Sequence, residues 1–292
     1  MTRFDVFVGV DWSGATTCGT KGVAVAECRP GSGPPRLVKS SERGRWRRSE
    51  VADWLSERIA GHGPVLIGID FAFALPFCDC GAYLPGALDS PETLAGLWRL
   101  VDRVCAEDAD LYAGRFVADP RFVRFFWSPG KRGASFRPRL RKTEDRCRGA
   151  GFGVPESVFK LIGPKQVGKG SLSGFRLFHG LKARHRAALR IWPFEALSRD
   201  RSVCVEIFPR LFIERARLPV VKLRSLELIN RALARLGSEP LPEKHHCLDE
   251  HQADALVSAA GLRRLSCDRA LWRPTEMTAD IARYEGWIFG VT

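Results

Sequence analysis

The stretch Phe4 to Gly14, F-D-V-F-V-G-V-D-W-S-G, is an apolar run that ends in one acid, Asp11, and turns at Ser13-Gly14. Runs of Val and Phe bounded by turn residues read as buried strands. An acid at the end of such a strand is not there for packing, because a buried ionised group is normally paired or metal-bound. The reading of the whole chain therefore turns on whether other carboxylates converge on Asp11.

Working outward, Lys21–Cys28 alternates and predicts a second strand. Arg36–Ser40 predicts a third, joined to it by the turn-rich P-G-S-G-P-P, so the three form an antiparallel meander. Ser49 reads as the N-cap of a helix over Glu50–Ala60 with Val51, Trp54, Leu55 and Ile59 on one face, ended by Gly61. Val65–Asp70, V-L-I-G-I-D, repeats the opening pattern of an apolar run ending in an acid. Right-handed crossover topology predicts that it lies parallel to the first strand. Later, Ser202–Phe208 is a strand with Glu206 inside it, and helices follow at Arg210–Arg217 and Leu223–Leu236. D-E-H-Q at Asp249–Gln252 is a capping box that opens a helix to about Leu265, with Ala253, Leu256, Val257 and Ala260 along its core stripe. Asp254 flanks that stripe, and Ala255, Ser258 and Gly261 are small enough to let the helix approach a sheet closely.

Between these parts, Pro76 to about Leu189 interrupts the pattern. A helix is expected over Pro91–Cys105, with Ser90 as N-cap and Leu94, Leu97, Trp98 and Val101 inward. Phe122, Phe125, Phe126 and Trp127 then precede Lys131–Arg148, which holds eight Lys or Arg against Glu144 and Asp145. From Ser157 to Phe194 there is no acid, and Gly163, Gly168, Gly170 and Gly174 read as loop. Basic side chains mixed with aromatics and glycine loops are a composition suited to tracking a nucleic-acid backbone, although a solvated basic face has the same composition.

Bulk composition agrees with this picture. The 292 residues carry 46 Lys and Arg against 33 Asp and Glu, and a net charge of +13 favours polyanionic partners. Nine irregularly spaced cysteines suggest no disulfide framework, and Cys78-Asp79-Cys80 has no second pair at zinc-finger spacing. The N-terminal segment, with Asp5 and Asp11 in its apolar run, does not read as a secretory signal. The weakly charged run Gly63–Cys78 is short for a membrane span and contains Asp70 and Pro76. A cytoplasmic protein is expected.

Asp11 and Asp70 end adjacent parallel strands, where α/β folds place ligands, and Glu206 and Asp254 are placed to join them. Four such carboxylates stay ionised together only with a compensating cation, and hard oxygen ligands select Mg²⁺ or Mn²⁺. Two such ions about 4 Å apart would clamp the attacking and leaving oxygens of a phosphodiester.

This layout resembles the ribonuclease H-like superfamily, with its first acid on strand one, its second at the end of strand four and its last on a C-terminal helix. The run D-E-H-Q-A-D-A-L-V-S-A-A resembles the last-helix motif of RuvC-type resolvases. Together, V-G-V-D-W-S-G, I-G-I-D-F-A-F-A-L-P, V-C-V-E-I-F-P-R and H-Q-A-D-A-L-V-S-A resemble the bacterial family called domain of unknown function 429, described as predicted ribonuclease H-like nucleases. The resemblance spans nearly the whole chain. It implies an α/β fold with a mixed five-stranded sheet flanked by helices, a core of residues 1–76 and 190–292, and residues 77–189 as a basic insertion between strands four and five. It further implies Asp11, Asp70, Glu206 and Asp254 as the metal set, with His251 binding metal or moving a proton. The family's G-P-K-Q-V-G-K-G-S-L-type loop matches at Gly163–Leu172. That match makes Lys165 and Lys169, with Ser13, candidate phosphate contacts.

The expected function is thus a metal-dependent nuclease. Asp11-Trp12-Ser13-Gly14 also resembles the first phosphate-binding hairpin of actin-like and sugar-kinase-type phosphotransferases, although Asp70-Phe71-Ala72 lacks the glycine of a second one. A non-catalytic nucleic-acid-binding protein is the third alternative.

Overall fold

The computed structural model describes residues 4–15, 22–41, 45–61, 63–163, 167–219, 222–243 and 248–292. The strands are β1 (Val6–Asp11), β2 (Ala24–Cys28), β3 (Arg36–Leu37), β4 (Val65–Ile69), the short ribbon β5 (Trp127–Ser128) and β6 (Lys131–Arg132), β7 (Leu189–Ile191) and β8 (Ser202–Glu206). The helices are α1 (Arg48–Ala60), α2 (Leu94–Val104), α3 (Gly114–Ala118), α4 (Lys142–Gly149), α5 (Gly168–His185), α6 (Pro209–Arg215), α7 (Leu226–Arg235) and α8 (Glu250–Leu265).

The main sheet is mixed, in the order β3-β2-β1-β4-β8-β7. The expected meander is present: β2 is antiparallel to both β1 and β3. The expected parallel pairing of β1 with β4 is also present, and β8 and β7 continue in parallel beyond it. The sheet has six strands where the resemblance implies five; the additional one, Leu189–Ile191 on the outer edge of β8, lies within Ala188–Phe194, a stretch that reads as a short strand in the sequence.

Strand alternation assigns the two faces. Val8, Val10, Val25, Ile67, Ile69 and Cys204 point into a core shared with α1, α2 and α5. Phe7, Ala24, Ala26, Leu66, Val203 and Val205 point the other way, into a core shared with α6, α7 and α8. Central strands buried on both faces read as unbroken apolar runs, which is why V-F-V-G-V and V-L-I-G-I carry so clear a signal. Residues 77–189 contribute α2 and α5 to the first of these cores.

One contact places the functional end of α8. A Cβ on Gly9 of β1 would lie 2.4 Å from the Ala255 carbonyl oxygen and 2.9 Å from the Ser258 Cβ, so strand and helix meet nearly backbone to backbone. On its far side α8 is held by α6, where a Cβ on Gly261 would lie 2.3 Å from the Phe212 ring. The capping box forms as read, with the Asp249 side chain accepting from the Gln252 amide and Gln252 returning a bond to the Asp249 amide.

Several local expectations are corrected. Ser49 lies in the first turn of α1 and bonds Asp110 instead of capping, and the cap of α2 is Thr93, not Ser90, whose hydroxyl accepts from the Leu84 amide. The glycine-rich segment is not a loop from residue 168 onward but the 18-residue helix α5. Glycine costs a helix about 1 kcal/mol per residue relative to alanine. Here close approach offsets that cost, since a Cβ on Gly174 would meet the Phe71 ring at 2.3 Å and one on Gly168 the Val158 carbonyl at 2.1 Å. Phe122, Phe125 and Phe126, read as partners of a basic binding strip, are buried; Phe122 and Phe126 pack against Phe116, Phe126 also against Phe159, and the Arg124 guanidinium lies over the Phe125 ring. Among the described residues no helix is long and apolar enough to cross a membrane.

Candidate functional site

Parallel register brings three acids to one edge of the sheet. Val10 pairs with Ile69, and Ile69 with Glu206. The Asp70 amide donates to the Val10 carbonyl at 3.0 Å, and the Ile207 amide to the Ile69 carbonyl at 3.2 Å. Asp11, Asp70 and Glu206 therefore stand at the carboxyl ends of β1, β4 and β8. The first turns of α8 add His251 and Asp254. The His251 Nδ1 lies 3.2 Å from Asp11 Oδ2. All five side chains line one cleft of about 530 Å³.

Their electrostatics separate them into two groups. Asp11, Asp70 and Asp254 are short of positive charge. Burial raises the Asp11 carboxyl above its usual range, although the His251 contact draws it down. Burial also pushes Asp70 well up, reinforced by repulsion from Asp11, Asp254 and Glu206 in that order. Asp254 is pushed up to about 7 by burial and by Asp11. Neither Asp70 nor Asp254 has a hydrogen-bond or ion-pair partner among the described residues. His251 is raised by its bond to Asp11, so it holds its proton more tightly than a free imidazole.

Glu206 belongs to a different network. Its Oε1 accepts from Arg141 Nη2 at 2.5 Å, and its Oε2 from Arg141 Nη1 at 2.8 Å and from the Phe73 amide at 3.0 Å. Arg141, 1% exposed, also bonds Glu144 through Nε and the Glu285 carbonyl through Nη1. Glu285 in turn accepts from the amides of Phe77, Cys78 and Lys142. This network ties α4, the segment after β4 and the C-terminal tail to the end of β8. Sequence reading missed Arg141, which lies within a run of exposed basic residues. Its one distinguishing mark is Glu144 three residues on, at the spacing that pairs side chains on a helix.

The turn after Asp11 rests on α5. A Cβ on Gly14 would lie 2.2 Å from the backbone of Lys169 and Gly170, and Trp12 Nε1 donates to Ser173 Oγ at 2.8 Å. Ser13 lines the cleft, its hydroxyl accepting from the Ala15 amide and its carbonyl held by Arg48. Lys169 sits in the first turn of α5 and does not line the cleft, whereas Arg210 and Lys222, which were not singled out, do. Lys165 lies outside the described residues.

Among the described residues no group of three or more His, Cys, Asp or Glu side chains is drawn together closely enough to hold a metal ion by itself. Mg²⁺ does not require such a cage, because it is usually held by one or two carboxylates with water and substrate phosphates completing its shell. Three crowded carboxylates with a single imidazole beside them fit that demand. The arrangement sets a sign for pH dependence without metal. Asp11, Asp70 and Asp254 have folded values above the unfolded one, so the folded state retains protons that the unfolded state releases. Stability from these groups is full below the ordinary carboxylate range and is lost as pH rises through the raised values, near 7 for Asp254. His251, raised from 6.5, acts in the same direction at higher pH. In EDTA the protein is expected to be less stable at about pH 8 than at about pH 5.5, by roughly 2 kcal/mol, and saturating Mg²⁺ should remove most of the difference. Denaturant melts at the two pH values check this, and equal midpoints in EDTA would contradict it.

No protein-family model matches the chain, and no curated protein or solved structure shows a match to it.

Proposed function

We propose that the protein is a divalent-cation-dependent nuclease of the ribonuclease H-like type, hydrolysing phosphodiester bonds in nucleic acid. The observation that carries this reading is the set of three carboxylates, from β1, β4 and α8, that share one cleft: Asp70 and Asp254 have no partner among the described residues, and Asp11 meets only His251. The sheet order, with β1 between an antiparallel β2 and a parallel β4, supports the fold assignment, as does the position of the last acid on a helix packed over β1. The four-motif resemblance to the domain of unknown function 429 family points the same way.

Asp11, Asp70 and Asp254 would hold Mg²⁺ or Mn²⁺, which when bound supplies Lewis-acid stabilisation of the phosphate oxygens. Asp11 orients the His251 imidazole, whose raised proton affinity and half-exposed position suit it to protonating the leaving oxygen. Exposed Lys131, Arg132, Arg137, Lys142 and Arg148 supply positive charge for the backbone of the substrate. The buried aromatics of the insertion do not take part, so binding is expected to be electrostatic and to weaken steeply with salt.

The phosphotransferase alternative requires a second phosphate-binding hairpin after β4. There the chain instead runs through the buried Phe71, Phe73, Ala74 and Leu75, and the Ala72 amide is taken by Ser171 Oγ. A purely binding role leaves the unpartnered acids as a source of repulsion against phosphate. The test incubates wild type and Asp11→Asn with labelled DNA, RNA, hybrid and branched substrates plus Mn²⁺. The expected result is metal-dependent cleavage that falls on the order of 100-fold or more in the variant. Identical behaviour of the two proteins on every substrate would sink the proposal.

A further inference from the structure

Taking the carboxylate cleft as a cation site, as proposed above, we infer that it takes one divalent cation, held by one or two of Asp11, Asp70 and Asp254 with water and phosphate oxygens completing its shell, and that Arg141 stands where a second cation would otherwise neutralise Glu206. The four acids at the sheet edge are not equivalent. Asp70 and Asp254 have no hydrogen-bond or ion-pair partner among the described residues. Glu206 has three donors, and both of its oxygens face the fork of one guanidinium. Bidentate pairing of this kind fixes geometry as well as charge.

Arg141 has no room to leave. Its Nε is bonded to Glu144, its Nη1 also reaches the Glu285 carbonyl, and both Arg141 and Glu206 are almost completely shielded from water. The backbone around it is pinned as well, since the Arg141 amide donates to Glu144 at 2.7 Å and the Lys142 amide to Glu285 at 2.9 Å. A cation placed on Glu206 would sit against a fixed positive charge in a poorly solvated site, where like charges repel strongly. Asp70 and Asp254 carry no such fixed pair, and the charge that meets Asp11 is the half-exposed His251, which makes one contact at 3.2 Å instead of a buried fork. Glu206 then acts as a positioning residue. Through the Phe73 amide and Arg141 it holds the segment after Asp70 and the start of α4 against the sheet.

Calorimetric titration with Mn²⁺, alone and with a phosphorothioate oligonucleotide, tests this on wild type, Glu206→Gln and Asp70→Asn. Wild type is expected to bind one Mn²⁺ per chain, with an electron paramagnetic resonance spectrum free of coupled-pair features. Glu206→Gln should bind one Mn²⁺ with an affinity within about threefold of wild type, whereas Asp70→Asn should lose about tenfold or more. Two Mn²⁺ per wild-type chain, or a coupled-pair spectrum, would overturn the inference and leave the nuclease reading standing. So would a folded Glu206→Gln protein that no longer binds Mn²⁺. Absence of any Mn²⁺ binding to wild type at millimolar concentration would overturn both.

Discussion

Replacing Arg141 by Met is expected to destabilise the protein by about 3–5 kcal/mol, measured as a loss of unfolding free energy in urea. Methionine fills much of the volume, so the loss is electrostatic. It leaves Glu206 and Glu144, each 3% exposed, with no counter-charge, and Glu206 additionally faces Asp70. Breaking a buried pair by removing one partner costs far more than the pair contributes, because the remaining charge has lost both water and partner. The double variant Arg141→Met, Glu206→Gln should recover part of that cost, since it removes one of the stranded charges. An exposed pair such as Arg184–Asp53 should hardly move the midpoint when broken. A loss below about 1 kcal/mol for Arg141→Met would mean that these carboxylates rehydrate, and would contradict the closed network.

A second large effect is expected from a single methyl group. Gly9→Ala should cost about 3 kcal/mol and abolish the Mn²⁺-dependent rise in melting temperature. The added Cβ would lie 2.4 Å from the Ala255 carbonyl oxygen and 2.7 Å from the Ala259 amide nitrogen. Both are backbone atoms of α8, so no side chain can swing aside. The helix cannot retreat freely either, because Gly261 already sits against Phe212 of α6. Relief comes only by displacing α8 from β1, which carries His251 and Asp254 away from Asp11 and Asp70. Gly33→Ala is the control: it has open space around its Cβ position and should change stability by less than about 0.5 kcal/mol. Unchanged stability and cation response in Gly9→Ala would show that the helix approach is looser than drawn.

Part of this site was legible before any coordinates. The two runs ending in Asp11 and Asp70 announced neighbouring strands, since central strands buried on both faces keep an unbroken apolar pattern. D-E-H-Q announced the start of α8, and the small residues Ala255 and Ser258 announced its close approach. These are signals carried by a few consecutive residues, and such signals survive in the chain alone. The aromatic and glycine-rich middle of the chain misled for the opposite reason. Phe122, Phe125 and Phe126 look the same in sequence whether they stack on bases or fill a core, and the glycines of α5 look like a loop until Phe71 and Val158 are brought against them.

By itself, then, the sequence determined strands β1, β2, β3, β4 and β8, the neighbours of β1, the capped last helix and the set of acids at one sheet edge. Each follows from periodicity, turn chemistry or capping, which act over a few residues. Tertiary structure alone decided which acids are left without partners. Arg141 lies 65 residues from Glu206 and 144 from the Glu285 carbonyl, and locally only Glu144, three residues on, sets it apart from the other arginines around it. Desolvation and charge pairing depend on which atoms the fold brings within a few ångströms. That distinction separates Glu206, paired with Arg141, from Asp70 and Asp254, which have no partner among the described residues, and from Asp11, which meets only His251.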